Sequence, residues 1–522
     1  MTHDLGFYDF DSIQRLLESL TSTPYGQEAA RDLQPPDRIE VARQMQRSVT
    51  VARQMVDANQ LPDLDNVPNI RAAMRQAASP GAALNVKALS NIRQVLLVGK
   101  SLVAVLQNWP PLYPQSIDHL MPEATLSTAI DQVVSSEGYL RRDASSKLEQ
   151  CWEDCEAQRE QAEVLLRDLL KKKEIKYGVR ERDGVDWQGD RAVLRVRAEV
   201  ADRVQGVRRG HHQGGKDELI EPVEVVPLNN RIEKLAGQIR AEQQLILREL
   251  TAVVQQFLEP LETLLDTITW IDLALAGGRL SQQFNGHAPR LNDEPGLHLV
   301  DAYHPLLLIQ FMQGTLDQPV PVSFKLDSRQ AFLLITGPNT GGKTVVLKTV
   351  GMLVTMASCG LHIPAEQDCS IGWYDHVMVD MGDRQSLYHQ LSTFAGHVEM
   401  MKRILAQANE RSLLLLDELG TGTDPDEGAA LAMALIDQLC EKGCQGVVNT
   451  HLSPLKEYAR QHDRVTNAAM EFDKDTLSPT YRLKVGESGI SYGLAVAQKN
   501  GLAENVIMLA KDYLQMIKKQ KQ

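Results

Sequence analysis

Apolar positions spaced three and four apart dominate the first 140 residues. Leu16, Leu17 and Leu20 lead into turn residues at 21–26. Apolar residues then recur through 41–56 and 86–106, with Ser79-Pro80-Gly81 and Trp109-Pro110-Pro111 as punctuation. The spacing predicts a mostly helical core over residues 1–140. Residues 141–173 are charged and free of Pro and Gly, which predicts a long solvent-exposed helix. A second begins at Asn229. Its Ile232, Leu235, Ile239, Ile246, Leu250, Val253, Phe257, Leu261, Leu264, Ile268 and Ile271 form a coiled-coil-like stripe interrupted at Pro260. Residues 229–259 alone would reach about 45 Å at ~1.5 Å per residue. The segments 141–173 and 229–285 are therefore expected to pair as an antiparallel arm. Between them, at 174–228, the period falls to two. Val193-Leu194-Arg195-Val196-Arg197-Ala198-Glu199-Val200 alternates, Gly and Asp turns appear, and Val223-Glu224-Val225-Val226 closes the segment. This predicts a small β-rich cap at the tip of the arm.

From about Gly286 the pattern changes to short apolar runs that end in polar residues. The run Ala331-Phe332-Leu333-Leu334-Ile335-Thr336 predicts a strand and residues 345–357 a helix. Gly337-Pro338-Asn339-Thr340-Gly341-Gly342-Lys343-Thr344 joins them, with the spacing of a phosphate-binding loop. A loop without bulky side chains lets backbone N–H groups turn onto phosphates, and the helix N-terminus adds favourable partial charge. Lys343 can reach the β- and γ-phosphates, and the Thr344 hydroxyl can ligate Mg²⁺. Leu413-Leu414-Leu415-Leu416 is a second buried-strand run, ending in Asp417-Glu418. Asp417 is placed to hold Mg²⁺ and Glu418 to orient or deprotonate the attacking water. Gly446-Val447-Val448-Asn449 ends in Thr450-His451, and His451 is expected to contact the γ-phosphate. Ser392-Thr393-Phe394, preceded by Asp383-Arg384-Gln385-Ser386, reads by itself as an ordinary helix cap.

Composition sets the outer limits. At 522 residues and 43% hydrophobic content the chain can bury large cores, so more than one domain is expected. It has no run of 18 apolar residues, and the N-terminus lacks a basic region followed by an apolar one. A soluble, cytoplasmic protein without membrane partners is expected. Cys151/Cys155 and Cys440/Cys444 are each four apart with no histidine cluster beside them, which favours helix packing over zinc. The net charge of −13 is unlike that of a simple basic nucleic-acid binder, so any such contact needs a local patch. Residues 171–216 hold 13 Lys and Arg against 7 Asp and Glu, a net of +6. The run Arg208-Arg209-Gly210-His211-His212-Gln213-Gly214-Gly215-Lys216 reads as a flexible basic loop, with Arg208, Arg209 and Lys216 the candidates for phosphate contact. A solvated charged surface is the alternative.

GPNTGGKT, STFAGHVEM, LLLLDELGTGTDPDEGAALA and NTHL, in that order, resemble the ATPase of the MutS family, and the third block points to its bacterial type-two branch. Ser22-Thr23-Pro24-Tyr25-Gly26-Gln27-Glu28-Ala29-Ala30 and Asp301-Ala302-Tyr303-His304-Pro305 carry the resemblance further. It implies a multidomain α plus α/β chain: a helical core, a long antiparallel coiled-coil lever, a small β-rich clamp, and an ABC-type P-loop ATPase domain over 286–522. It implies ATP and Mg²⁺ as cofactors and a homodimer whose C-terminal helical element begins near Gly486. Ser392 would then complete the partner subunit's nucleotide site. Val320-Pro321-Val322 lies where base-stacking residues would sit, but no aromatic is present and no base contact is assigned. Two targets are implied, branched DNA, where relatives restrain recombination, and collided ribosomes with their rRNA, which relatives split. Phosphate contacts carry no sequence information, so the basic patch does not choose. Type-two relatives continue into a linker and a small Smr domain; this sequence shows neither, so Smr-type endonuclease activity is not expected of it.

Gly6-Phe7-Tyr8-Asp9-Phe10 has a faint likeness to the Phe-x-Glu mismatch reader of repair relatives, but too little chain follows to build that domain. Other classes fit less well. In structural-maintenance or double-strand-break ATPases the two nucleotide motifs flank the arm, whereas here both follow it. A transporter ATPase would carry Leu-Ser-Gly-Gly where STFAGH stands. A binding module with little turnover is disfavoured because Lys343, Thr344, Asp417, Glu418 and His451 are all present.

Overall fold

The computed structural model describes residues 2–3, 5–115, 124–172, 184–212, 217–337, 341–380, 393–473, 476, 478–489, 493–499 and 501–520. The chain divides into two compact units that are not consecutive in sequence. One comprises Met1–Asn66, Ala104–Ser116 and Thr267–Gln522; the other comprises Val67–Val103 and Ile117–Asp266. The helical first segment is thus shared between them.

The first unit is built on a seven-stranded sheet. Its strands run in the order Thr2–His3, His376–Asp380, Ser412–Leu416, Gln445–Thr450, Phe332–Thr336, Val465–Asp473 and Ser478–Val485. All neighbours are parallel except the last pair. The three central strands are buried at every position, the signature of parallel strands covered on both faces. Helices Lys343–Ser358, Thr393–Gln407 and Pro425–Glu441 fall between them along the chain. Phe332, Leu334, Leu414, Leu416 and Val448 share one core with Ile404, Ile436 and Leu439. A four-stranded sheet, ordered Arg290–Asn292, Ser370–Gly372, Leu297–Ala302 and Val322–Leu326, belongs to the same unit.

The start of the chain is sewn into this unit. Thr2 and His3 pair with His376 and Val377. Tyr8 and Phe10 are fully buried, the Tyr8 hydroxyl is 2.8 Å from Thr355 Oγ1, and Asp9 pairs with Lys348 at 2.9 Å. Within the Gly6–Phe10 run, Tyr8 and Phe10 are core, Phe7 and Asp9 are half-buried and Gly6 is exposed. Thr23 caps helix Pro24–Arg31, its hydroxyl accepting from Gly26 N at 3.0 Å, with proline at the first helical position. Asp272, wholly buried, accepts from Ser22 N, Thr23 N and Thr23 Oγ1 at 2.9, 2.8 and 2.7 Å. A Cβ at Gly26 would lie 2.2 Å from Asp272 Oδ2, so the carboxylate reaches its donors only over a glycine.

In the second unit, helices Ser146–Leu170 and Val226–Gln256 pack side by side. Lys147 pairs with Glu242 at 2.7 Å and Lys172 with Glu224 at 3.6 Å, so the helices are antiparallel. Leu148, Cys155, Leu166 and Leu169 meet Ile232, Ile239 and Ile246 in one core. The break in the second helix falls at Phe257, not at Pro260. Pro260 sits in the first turn of the next helix, Leu258–Phe284, where its missing N–H is not needed. A four-stranded antiparallel sheet, ordered Val185–Gln188, Arg191–Arg197, Asp217–Pro222 and Gly206–His211, occupies the segment where alternation predicted strands. Two details differ from the sequence reading. Ala198–Ala201 is a helical turn, and Arg208–His211, expected as loop, belongs to the edge strand.

The six cysteines are buried and free, consistent with helix and sheet packing. Among the described residues, one helix, Val86–Asn108, is long and apolar enough to cross a membrane. Its Leu89, Ile92, Val95, Leu96, Leu102 and Leu106 are buried within the protein, as in a core helix.

Candidate functional site

Sheet register brings the candidate residues to one edge. Thr450 lies opposite Thr336, and Leu416 lies between Asp380 and Val448. The residues that follow these strand ends are Gly337, Asp417 and His451, so all three emerge at the carboxyl edge of adjacent parallel strands, where open α/β sheets bind ligands. Gly337 and Gly342 have φ of 139° and 89°, which only glycine adopts without strain. Gly342 is the N-cap of helix Lys343–Ser358, so the N–H groups of its first turn face the loop. Gly341 is buried beside it. Lys343 Nζ donates to the Gly337 carbonyl at 2.7 Å. Burial lowers the pKa of Lys343, opposed by the negative charges of Asp417 and Glu418.

Asp417 is held from three sides. The Thr344 hydroxyl donates to Oδ2 at 2.6 Å, Asn449 Nδ2 donates to Oδ1 at 3.1 Å, and the Asp417 N–H donates to the Asp380 carbonyl at 2.7 Å. Glu418 follows with φ 53°, a left-handed conformation that costs a glutamate about 1–3 kcal/mol. Strain at this position turns the chain sharply off the strand end. The turn closes on itself because Gly420 and Gly428 touch: a Cβ at Gly420 would lie 2.4 Å from the Gly428 carbonyl oxygen. Asp424 then caps helix Pro425–Glu441, accepting from Asp426 N and Glu427 N at 3.0 and 3.2 Å. The glycine and aspartate spacing of DELGTGTDPDEG is the spacing of this turn and cap.

Lys343, Thr344, Asp417, Glu418 and His451 are thus gathered at one edge, with His451 exposed. Pro338, Asn339, Thr340, Ser392 and Lys216 lie outside the described residues. Arg208 and Arg209 belong to the other unit. There Arg208 pairs with Asp202 and Glu218, and Arg209 with the buried Glu221.

Three residues of this edge escaped the sequence reading. Asn449, inside the NTHL run, orients Asp417. Asp380 ends its strand with no motif to mark it. His397, inside STFAGHVEM, is buried with Nδ1 3.1 Å from Asp380 Oδ2, and that hydrogen bond holds its pKa above the ordinary imidazole value. A cavity of about 460 Å³ has Tyr303, Val320, Pro321, Arg482 and Leu483 in its wall. Tyr481, next to Arg482, brings its ring within 3.2 Å of where a Cβ on Gly342 would stand.

Among the described residues no group of three or more His, Cys, Asp or Glu could hold a metal. The adjoining Thr344 hydroxyl and Asp417 carboxylate supply two hard oxygens, and Asn449 Oδ1 nearby is buried without a partner among the described residues. That donor set fits Mg²⁺, which takes one or two protein oxygens and completes its shell with phosphate and water.

The class of this site follows from comparison: residues 333–518 match the family model of MutS domain V. Over nearly the whole chain it is similar to proteins named Endonuclease MutS2. That of Halothermothrix orenii is 32% identical over 521 residues, covering 98% of this chain and 65% of the relative. Those of Pelotomaculum thermopropionicum and Shouchella clausii are each 33% identical, covering 97% and 95% of this chain and 64% and 63% of theirs. The chain belongs to the MutS family, on its MutS2 branch. It spans a little under two thirds of the length of these relatives.

Proposed function

We propose that this chain is an ATPase acting as a homodimeric clamp on nucleic acid. The observation that carries the reading is the Thr344–Asp417 hydrogen bond at the mouth of a glycine loop, with Lys343 folded against the same loop. In this reading Lys343 and the loop N–H groups hold the phosphates. Mg²⁺ held by Thr344 and Asp417 would offset phosphate charge. Glu418 orients or deprotonates the attacking water, His451 contacts the γ-phosphate, and Ser392 of the partner subunit completes the site.

The helices at 141–173 and 229–285 would serve as the lever and the sheet within 174–228 as the clamp, gripping phosphates through Arg208, Arg209 and Lys216. The word endonuclease in the relatives' names supports nucleic acid as the target. Branched DNA and the rRNA of collided ribosomes are the two candidates. Crosslinking in cells followed by sequencing of the recovered nucleic acid decides between chromosomal DNA and rRNA.

The chemistry is tested by Glu418→Gln. It should still bind ATP while hydrolysis falls about 10²–10⁴-fold, the range for loss of a general base. Lys343→Ala should weaken nucleotide binding itself. Near-normal turnover by Glu418→Gln would remove Glu418 from the mechanism. Tight ATP binding with negligible hydrolysis by the unaltered protein would favour a nucleotide-switched binding module.

A further inference from the structure

Next to Asp417 and Glu418 lies a buried polar pair that the roles above do not use. Asp380 ends the strand His376–Asp380, and His397 is in the second turn of helix Thr393–Gln407. Both side chains are nine-tenths buried or more, and His397 Nδ1 is 3.1 Å from Asp380 Oδ2. The helix is already fixed to the sheet by Met401 and Ile404 in the apolar core, so it needs no polar tie for packing. Taking two such groups out of water costs several kcal/mol, and an apolar pair of the same volume would often be as stable or more so. What distinguishes the position is its neighbour: the Asp380 carbonyl accepts the Asp417 N–H at 2.7 Å, and the charge of Glu418 acts on His397.

We propose that His397 and Asp380 form a positioning pair for ATP hydrolysis, locking the start of helix Thr393–Gln407 to the strand end that orients Asp417 and Glu418. This rests on the ATPase reading given above. Asp380 is the shared member: its side chain fixes the helix through His397, and its carbonyl fixes the backbone from which Asp417 and Glu418 project. Movement of the helix start would therefore be felt at the acids without any change in the loop that holds the phosphates. Neither residue touches the substrate in this scheme.

The test uses the full chain with His397→Ala, His397→Asn, Asp380→Asn and the double variant His397→Ala/Asp380→Asn. Steady-state ATP hydrolysis is measured beside binding of a fluorescent non-hydrolysable ATP analogue. His397→Ala should lower kcat about 10- to 100-fold, as displacement of supporting groups commonly does, while KM and analogue binding stay within about twofold. Asparagine can present its amide nitrogen near the position of the imidazole Nδ1, so His397→Asn should recover most of the rate. The double variant should be no slower than the slower single one, since both remove the same tie.

A kcat near that of the unaltered chain in His397→Ala, rate losses that multiply in the double variant, or a loss confined to KM would each overturn the pair. If His397→Ala fails to fold, His397→Asn and Asp380→Asn carry the test: a normal rate in the first with a reduced rate in the second supports the proposal, and equal rates in the two overturn it. Hydrolysis by the unaltered chain with unaffected variants sinks the pair alone. Absence of hydrolysis by the unaltered chain sinks the ATPase reading and the pair together.

Discussion

Burial holds His3, His304 and His362 neutral, lowering each pKa to about 4. His362 is the best defined. Its Nε2 lies 2.9 Å from Thr50 Oγ1 and its Nδ1 2.8 Å from Ser281 Oγ, and Arg53 adds a like charge to the effect of burial. An unfolded histidine takes up its proton near pH 6.5, so between about 6.5 and 4 the unfolded chain binds more protons than the folded one. Stability is then fully present above the unfolded pKa and is lost as pH falls through that window, by up to roughly 3 kcal/mol for one such histidine. Melting temperature should drop between pH 7 and pH 5. His362→Gln should be less stable at pH 7 yet show a smaller drop, which differential scanning fluorimetry can read. An unchanged drop would place the acid sensitivity elsewhere. Nothing in the sequence marks this histidine; Thr50, Ser281 and His362 are far apart along the chain and meet only in the fold.

The edge strand Gly206–His211 is where the sequence overstated what is free to act. Within the +6 segment, Arg209 and Arg191 both pair with Glu221, which is 0% exposed, and Asn229 Nδ2 donates to it at 2.9 Å. Burial alone would raise the Glu221 pKa, but the bonds from Asn229, Arg209 and Arg191 outweigh it and hold the carboxyl below its ordinary value. Arg208 pairs with the exposed Asp202, where such bridges contribute little, and at 3.4 Å with the buried Glu218. If the tip grips phosphates, replacing Arg208, Arg209 and Lys216 together with Ala should weaken binding to DNA or rRNA regardless of sequence. It should also flatten the slope of log K against log salt on duplex DNA by up to roughly 2–3 units, at about 0.9 counterion per contact. Basal hydrolysis should survive. Arg209→Ala alone should also lower the melting temperature, because it removes one partner of a buried carboxylate. Unchanged binding by the triple variant at every salt concentration would leave the basic strand a solvated surface.

For the whole molecule the proposed composite site makes activity a property of the dimer. Mixing Lys343→Ala protein with Ser392→Ala protein should restore part of the hydrolysis lost in each, because one of the two sites in the mixed dimer keeps Lys343 and receives an intact Ser392 from its partner. The check is the ATPase rate of the mixture against each variant alone, with heterodimers demonstrated by tag pull-down. Demonstrated heterodimers without rescue would mean that each site works within its own chain.

Local signals by themselves determined the strand, glycine loop and helix around Lys343, the acid pair after Leu416, the Thr450-His451 strand end, and the alternation of the 174–228 segment. Each depends on neighbours in sequence: periodicity selects the element, and glycine at Gly337 and Gly342 answers a backbone angle that other residues resist. Only the tertiary structure decided the rest. The first strand, Thr2–His3, joins a sheet whose other strands begin more than 300 residues later, and two residues carry too little pattern to announce it. Asp272 beneath Gly26 and Asp380 against His397 are single polar residues in apolar surroundings, legible only once the groups they bind have been brought to them. The charge of Arg209 was visible, but its neutralisation by Glu221 was not, because cross-strand pairing sets partners by register between strands and not by distance along the chain.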